Sequence, residues 1–274
     1  MSLVSTDWFC RDGIEYSRVS VSASASRFPR HWHDEYVICA NLSGREAIWL
    51  DGREMEAFAG QVTVYNPGSI QASCFSTPPV QFISVHLPQA LLRDAVAQLG
   101  LQSRDEAPSL REGVIADASL FRALCGVDAA ARARNEAELE QQLLWLCGEL
   151  LDDTHHAHAD DAQRIDTVQH YLCAHLSEKP PLETLAQVAG LSKYHLVRRF
   201  TQLTGMPPLQ YHMQLRLQRA RTLLRQGVHP LDAALQLGFY DQSHFINAFR
   251  KVMGITPHHY VQQLGLTQDK FPIA

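Results

Sequence analysis

His31 and His33 stand two residues apart, and Glu35 follows two further on. In an extended strand, residues two apart point to one face, so these three side chains can converge. Two imidazoles and a carboxylate can hold a borderline transition ion such as zinc, iron or nickel. They can also surround a small polar molecule with hydrogen-bonding groups. Trp49 and Gln71 lie in the same region and offer an aromatic wall and an amide for such a pocket. The plainer alternatives are a histidine pair at a sheet rim and a tryptophan in the core.

A second set lies far along the chain. Ser192 is followed by Lys193, Tyr194, His195, Arg198 and Gln202, all off the stripe formed by Leu196 and Phe200. An arginine fork matches O6 and N7 of guanine, a pairing worth ~1–3 kcal/mol of base discrimination. Lysine and serine hold phosphates without reading sequence. A shift of 49 residues places Gln242 at Lys193, Ser243 at Tyr194 and Asn247 at Arg198, and Arg250 and Lys251 follow as candidates for backbone contact. Asparagine can pair bidentately with adenine. The first set is therefore expected to carry more base reading and the second more backbone contact. For each polar residue, a solvated helix face is the alternative.

The elements that carry these residues are repeated, as an internal copy of a supersecondary unit would be. At the 49-residue offset Phe245 falls on Leu196, Phe249 on Phe200, Gly254 on Gly205, Pro257 on Pro208 and Tyr260 on Tyr211. Upstream, Leu185-Ala186-x-x-Ala189-Gly190 matches Ala233-Ala234-x-x-Leu237-Gly238 at an offset of 48. In the first copy a short helix runs from Leu182 to Ala189 and ends at Gly190, where positive φ suits a helix terminus. Ser192 then caps a second helix that buries Leu196 and Phe200. The second copy runs Leu231 to Leu237, then Gly238, then Asp241 as cap. Two short helices joined by a glycine turn read as a helix-turn-helix or as a plain helical hairpin. Between the copies a helix spans Pro208 to Gln226, bounded by Pro208 and Gly227 as expected. Its length of ~28 Å approaches the ~34 Å between successive major-groove faces.

Charge divides along the same line. Residues 162–274 carry 12 Lys/Arg and 6 Asp/Glu, and residues 1–161 carry 12 and 23. A basic half beside an acidic half suits one polyanion-binding domain and one that DNA does not touch. Six cysteines are scattered singly with no C-x-x-C pair, which favours reduced thiols and a cytoplasmic location over a disulfide framework. No stretch reaches the ~18 apolar residues of a membrane span, and no signal peptide is visible.

Residues from about Ile14 to Leu87 read as β, with short apolar runs at Tyr36–Ala40, Ala47–Leu50, Gln61–Tyr65 and Gln81–Val85. Turns are expected at Ser43-Gly44, Asp51-Gly52 and Pro67-Gly68, and this spacing suggests a sandwich or barrel. Helices come next at Pro88–Leu99 and Asn135–Leu151. The second carries Leu139, Leu143, Leu146 and Leu150 in one seam, which reads either as a dimer helix or as a helix packed on its own domain. The polar segment at 152–161, DDTHHAHADD, reads as an interdomain linker, and a helix from about Gln163 to Leu176 opens the basic half.

Ser192-Lys193-Tyr194-His195-Leu196, Arg199-Phe200, Gly238-Phe239-Tyr240-Asp241-Gln242-Ser243-His244-Phe245 and Gly254-Ile255-Thr256-Pro257 with Tyr260 resemble the AraC/XylS family of bacterial transcription regulators. His31-Trp32-His33-Asp34-Glu35-Tyr36, Gly60 and Asn66-Pro67-Gly68 resemble the cupin-type effector domain that accompanies it. The resemblance implies an α+β two-domain chain. A cupin-like β-barrel with flanking helices would occupy residues 1–151. An all-α domain with two helix-turn-helix motifs joined by a long helix would occupy 162–274. It further implies double-stranded promoter DNA as partner, a small-molecule effector in the barrel, a homodimer, RNA polymerase as a further partner, and an activator without enzymatic activity. Arg216 matches a family position on the linking helix and is expected to brace helices. The chain departs from the family at Asn247, near which an arginine is common. It also departs from metal-binding cupins: Val37 and Ile38 stand where a glutamate is expected, and Gln71 where a histidine is. No metal or other cofactor is therefore expected, and a metal-dependent cupin enzyme fused to a DNA-binding domain is the alternative reading.

Overall fold

The computed structural model describes residues 4–11, 13–22, 26–100, 107–151 and 161–263. The chain forms two compact units, Met1–His156 and Ala157–Ala274. The division falls inside the expected 152–161 linker, of which residues 152–160 lie outside the described residues.

The first unit is built on eight antiparallel strands: β1 (Val4–Arg11), β2 (Ile14–Val21), β3 (Ser26–His31), β4 (Tyr36–Leu50), β5 (Arg53–Phe58), β6 (Val62–Tyr65), β7 (Gln71–Leu87) and β8 (Gly113–Ile115). Their order is β1-β2-β7-β4-β6-β8, with β3 also on β7 and β5 also on β4. Strands β4 and β7 run side by side, and each has further partners along its length. The Asp51-Gly52 turn joins β4 to β5, with φ of 45° and 85°, as a tight hairpin requires.

The Ser43-Gly44 turn does not form, because β4 continues through it. Register shifts against β7 on both sides of Ser43, so the extra length is absorbed as an irregularity within the ladder. Gly44 has φ +81°, and a Cβ there would lie 2.7 Å from the Pro79 carbonyl oxygen. Strand β5 is not among the expected apolar runs, since Arg-Glu-Met-Glu-Ala-Phe turns only Met55 and Ala57 inward.

Among the described residues the unit also has three helices: α1 (Gln89–Leu99), α2 (Ala118–Arg132), which packs on the sheet, and α3 (Glu136–Leu150). Helix α2 is likewise absent from the expected elements. Its cap, Asp117, accepts from the amides of Ser119 and Leu120. Arg18 of β2 donates to Asp128 of α2 at 2.6 Å, and Arg132 joins Asp128 to Asp7 of β1. Helix α3 packs along α2.

The second unit is all helical: α4 (Asp161–Ala174), α5 (Leu182–Ala189), α6 (Lys193–Thr204), α7 (Pro208–Arg225), α8 (Pro230–Gln236), α9 (Gln242–Met253) and α10 (Pro257–Gln263). The internal repeat reappears as repeated geometry. Ser192 accepts from the His195 amide and Asp241 from the His244 amide, each capping its helix. The Gly205 amide donates to Thr201 O and the Gly254 amide to Arg250 O, both at 2.8 Å. Phe200 meets Tyr211 edge-on at 5.2 Å, and Phe249 meets Tyr260 at 5.6 Å. The hydroxyl of Tyr211 accepts from Gln169, and that of Tyr260 accepts from Arg225. Helices α6 and α9 are thus each pinned by one Phe–Tyr contact to the next helix in the chain.

Candidate ligand barrel and nucleic-acid interface

Strand β3 ends at His31, yet the alternation continues past it. His31, His33 and Glu35 are half-buried, whereas Trp32 and Asp34 between them are exposed. The His31 and His33 rings lie 5.0 Å apart and nearly perpendicular. His33 in turn meets the ring of His86, from β7, at 4.8 Å. Ligand atoms of His33, Glu35 and His86 all lie within 4.8 Å of one another. Burial, and then the neighbouring imidazole, push His33 and His86 below the ordinary histidine range. His86 is absent from the sequence-derived set. It lies one residue beyond the Gln81–Val85 run, and its proximity to His33 comes only from the pairing of β7 with β4.

Gln71 is buried at the start of β7, opposite His31 on one side and Leu50 on the other. Trp49 is a correction to the expected pocket. The pleat of β4 gives the buried face to Glu46, Ile48 and Leu50, and Trp49 takes the alternate position. There the Arg30 guanidinium stacks over its ring at 3.9 Å.

The barrel interior holds a further polar group that the sequence did not reveal. Glu46 is only 5% exposed. Burial raises its carboxyl pKa to about 7 against the opposing effect of a hydrogen bond with Ser73. Tyr65 bonds with Thr63 and Ser73, and burial pushes its phenol well above the usual range. Cys39 is pushed up to about 12 by burial, and its Sγ donates to Ser84 Oγ at 3.6 Å. Apolar walls of Val37, Ile48, Leu50 and Phe75 surround this line of polar groups. The signal available in sequence was the alternation Glu46, Ile48, Leu50.

In the second unit, α6 and α9 begin after glycine-ended turns. Gly190 at φ +62° and Gly238 at φ +65° permit the reversal. On α6, Ser192 is committed to the cap, and Lys193 Nζ lies 2.6 Å from Glu183 Oε1. His195 is half-buried, and exposed Gln202 accepts from Arg199. Tyr194 and Arg198 are 4% and 5% exposed. On α9 the counterparts Ser243 and Asn247 are exposed, as are Gln242, Arg250 and Lys251. Arg216 is buried on α7 and donates to Leu237 O, so it braces helices. On α3, Leu139 and Leu146 are buried, whereas Leu143 and Leu150 are half-buried.

The family model for the AraC-like ligand binding domain matches residues 15–166. This chain belongs to the AraC family. A helix-turn-helix domain matches residues 185–263 of the same AraC-family chain. The HTH-type transcriptional regulator YbfI of Bacillus subtilis is 28% identical over 226 residues, which cover 79% of this chain and 80% of that one. The HTH-type transcriptional activator RhaS of Salmonella agona is 36% identical over 121 residues, 44% of this chain and 42% of its own. A solved probable AraC family transcriptional regulator from Rhodopseudomonas palustris shares 28% identity over 37% of this chain and 97% of that chain, with a TM-score of 0.35. The AraC-family chain is thus a transcription regulator that joins a cupin-like ligand-binding domain to a helix-turn-helix DNA-binding domain. The family is one of transcription regulators. Among the described residues no helix is long and apolar enough to cross a membrane.

Proposed function

We propose that this regulator activates transcription from a promoter in response to a small polar molecule held in the barrel. The observation that carries the DNA-binding part is the duplicated cap, glycine turn and Phe–Tyr contact around α6 and α9. Helix α7, at ~27 Å for its eighteen residues, sets the two readers near the spacing of adjacent major-groove faces. Asn247 is the base reader proposed for α9, with Gln242 and Ser243 beside it, and Arg250 and Lys251 hold phosphates. On α6 the base reader is Arg198, whose guanidinium leaves its buried position when guanine is bound. Ser192, Lys193, Tyr194, His195 and Gln202 line the same groove.

The effector is held by His31, His33, Glu35 and Gln71 at one end and by Glu46, Ser73 and Tyr65 along the interior. Hydrogen-bonding groups in an apolar sleeve fix the orientation of a small polar ligand. The regulator acts as a homodimer through α3, where half-buried Leu143 and Leu150 extend the buried Leu139 and Leu146, and it contacts RNA polymerase in the cytoplasm. Free thiols at all six cysteines suit that compartment.

The test is selection of duplexes from a random-sequence pool by the full chain, repeated across salt concentrations. Enrichment of an asymmetric motif spanning two adjacent major grooves, weakened by Arg198→Ala and Asn247→Ala, is the expected result. Steeply salt-dependent binding with no motif would overturn the base-reading assignment.

A further inference from the structure

His33 and Glu35 come from the segment before β4, and His86 comes from the far end of β7. The fold nevertheless brings one ligand atom from each within 4.8 Å of the others. His31 adds a fourth potential donor, its ring 5.0 Å from that of His33. His31 Nδ1 donates to the Pro29 carbonyl oxygen at 2.7 Å, which leaves Nε2 as the available donor atom. A hydrogen bond of this kind fixes the tautomer and orientation of a metal-ligating imidazole. The third ligand comes from His86, not from position 71, where glutamine stands.

We propose, as a refinement that rests on the effector site described above, that His33 and Glu35 act there together with His86 by binding a borderline divalent transition-metal ion, completed by His31 or by water. Two imidazole nitrogens and one carboxylate oxygen suit Zn²⁺, whereas Ca²⁺ and Mg²⁺ favour all-oxygen sets. Zinc takes such ligands at ~2.0–2.2 Å. The ion ties the β3–β4 segment to β7 at one end of the barrel.

The experiment uses the full chain without an affinity tag, stripped with a chelator. Because His155, His156 and His158 in the linker could capture zinc, all three are replaced by alanine in the parent. Zn²⁺ is titrated in competition with a chromophoric chelator, and bound metal is counted by elemental analysis. One ion per chain is expected in this parent. His86→Gln and His33→Gln should each weaken binding by at least about 100-fold, beyond the ~10–100-fold typical of losing a supporting outer-shell group. Cobalt in place of zinc should give a visible ligand-field spectrum that disappears in His86→Gln. Far-UV circular dichroism checks that each variant folds. If His86→Gln does not fold, Glu35→Gln and His33→Gln decide the question. Stoichiometric binding that survives His86→Gln and His33→Gln, or that vanishes when only the linker histidines are replaced, would overturn the proposal.

Discussion

Arg216 donates from Nε to the carbonyl oxygen of Leu237 at 2.8 Å, and its Nη2 donates to the same oxygen. Leu237 is the C-cap of α8, and terminal helix carbonyls lack an intrahelical partner. The guanidinium also lies 4.2 Å from the Phe239 ring centroid. A residue of the connecting helix thus holds the turn that aims the second reading helix. Burial lowers the Arg216 pKa to about 10, so it remains charged at neutral pH. Arg216→Ala should destabilise the chain by about 2–3 kcal/mol, because it leaves a buried carbonyl without its partner. Arg216→Lys should recover only part of this, since lysine lacks the planar fork. Urea denaturation of the full chain checks both values.

Gly238 and Gly254 both have positive φ, but their surroundings differ. A Cβ at Gly238 would lie 1.8 Å from the Ser177 carbonyl oxygen, whereas nothing lies within 4 Å of one at Gly254. Gly254→Ala should cost about 1–2 kcal/mol of backbone strain. Gly238→Ala adds a clash with backbone that no rotamer change relieves, so its loss should exceed about 3 kcal/mol. Thermal unfolding of the two variants should rank them in that order.

The two caps form a matched pair. Ser192→Ala and Asp241→Ala should each cost about 1 kcal/mol. The double variant should lose about the sum, since the caps belong to separate reading units and share no partner. A double loss far from additive in urea titrations would show that the two units are energetically coupled.

Glu46 makes stability depend on pH in an unusual direction. Its folded pKa of about 7 lies above the ordinary 4.5. The folded state therefore holds the proton more tightly than the unfolded chain. The contribution is fully present below about pH 4.5 and is lost as pH rises through about 7. Glu46→Gln should remove up to about 3 kcal/mol of that decline. Urea midpoints of parent and variant at pH 5 and pH 8 test this, and equal pH slopes would refute the assignment.

On α9, phosphate and base contacts separate by their salt dependence. Arg250→Ala and Lys251→Ala should weaken binding to all sequences and reduce the salt slope by about 1 each. Asn247→Ala should instead relax preference at one base position by about 1–3 kcal/mol. Fluorescence anisotropy on matched and mismatched duplexes across salt distinguishes the two behaviours.

Helix α5 begins and ends where sequence alone places it, and α6 and α9 begin directly after the caps, Ser192 and Asp241, that sequence names. Their boundaries rest on local chemistry: a serine or aspartate that caps, a glycine that tolerates positive φ, and an apolar stripe of period 3.6. The repeat was legible for the same reason, since each copy carries its own caps and its own Phe–Tyr contact. The barrel was legible in outline and less so in detail. Gly44 looks like a turn in sequence, but pairing with β7 carries the strand through it. Trp49 looks like a pocket wall, but the pleat of β4 assigns the interior to Glu46. His86 looks like one residue at the end of an apolar run. What brings it to His33 is the registry of two long strands, and registry depends on contacts between residues far apart in the chain. Sequence by itself determined the family through the resemblance of its motifs, the two-part division through charge, and the starts of the repeated helices through local capping and periodicity. Only the tertiary structure decided which polar groups share the barrel, because strand pairing is non-local and no spacing along the chain records it.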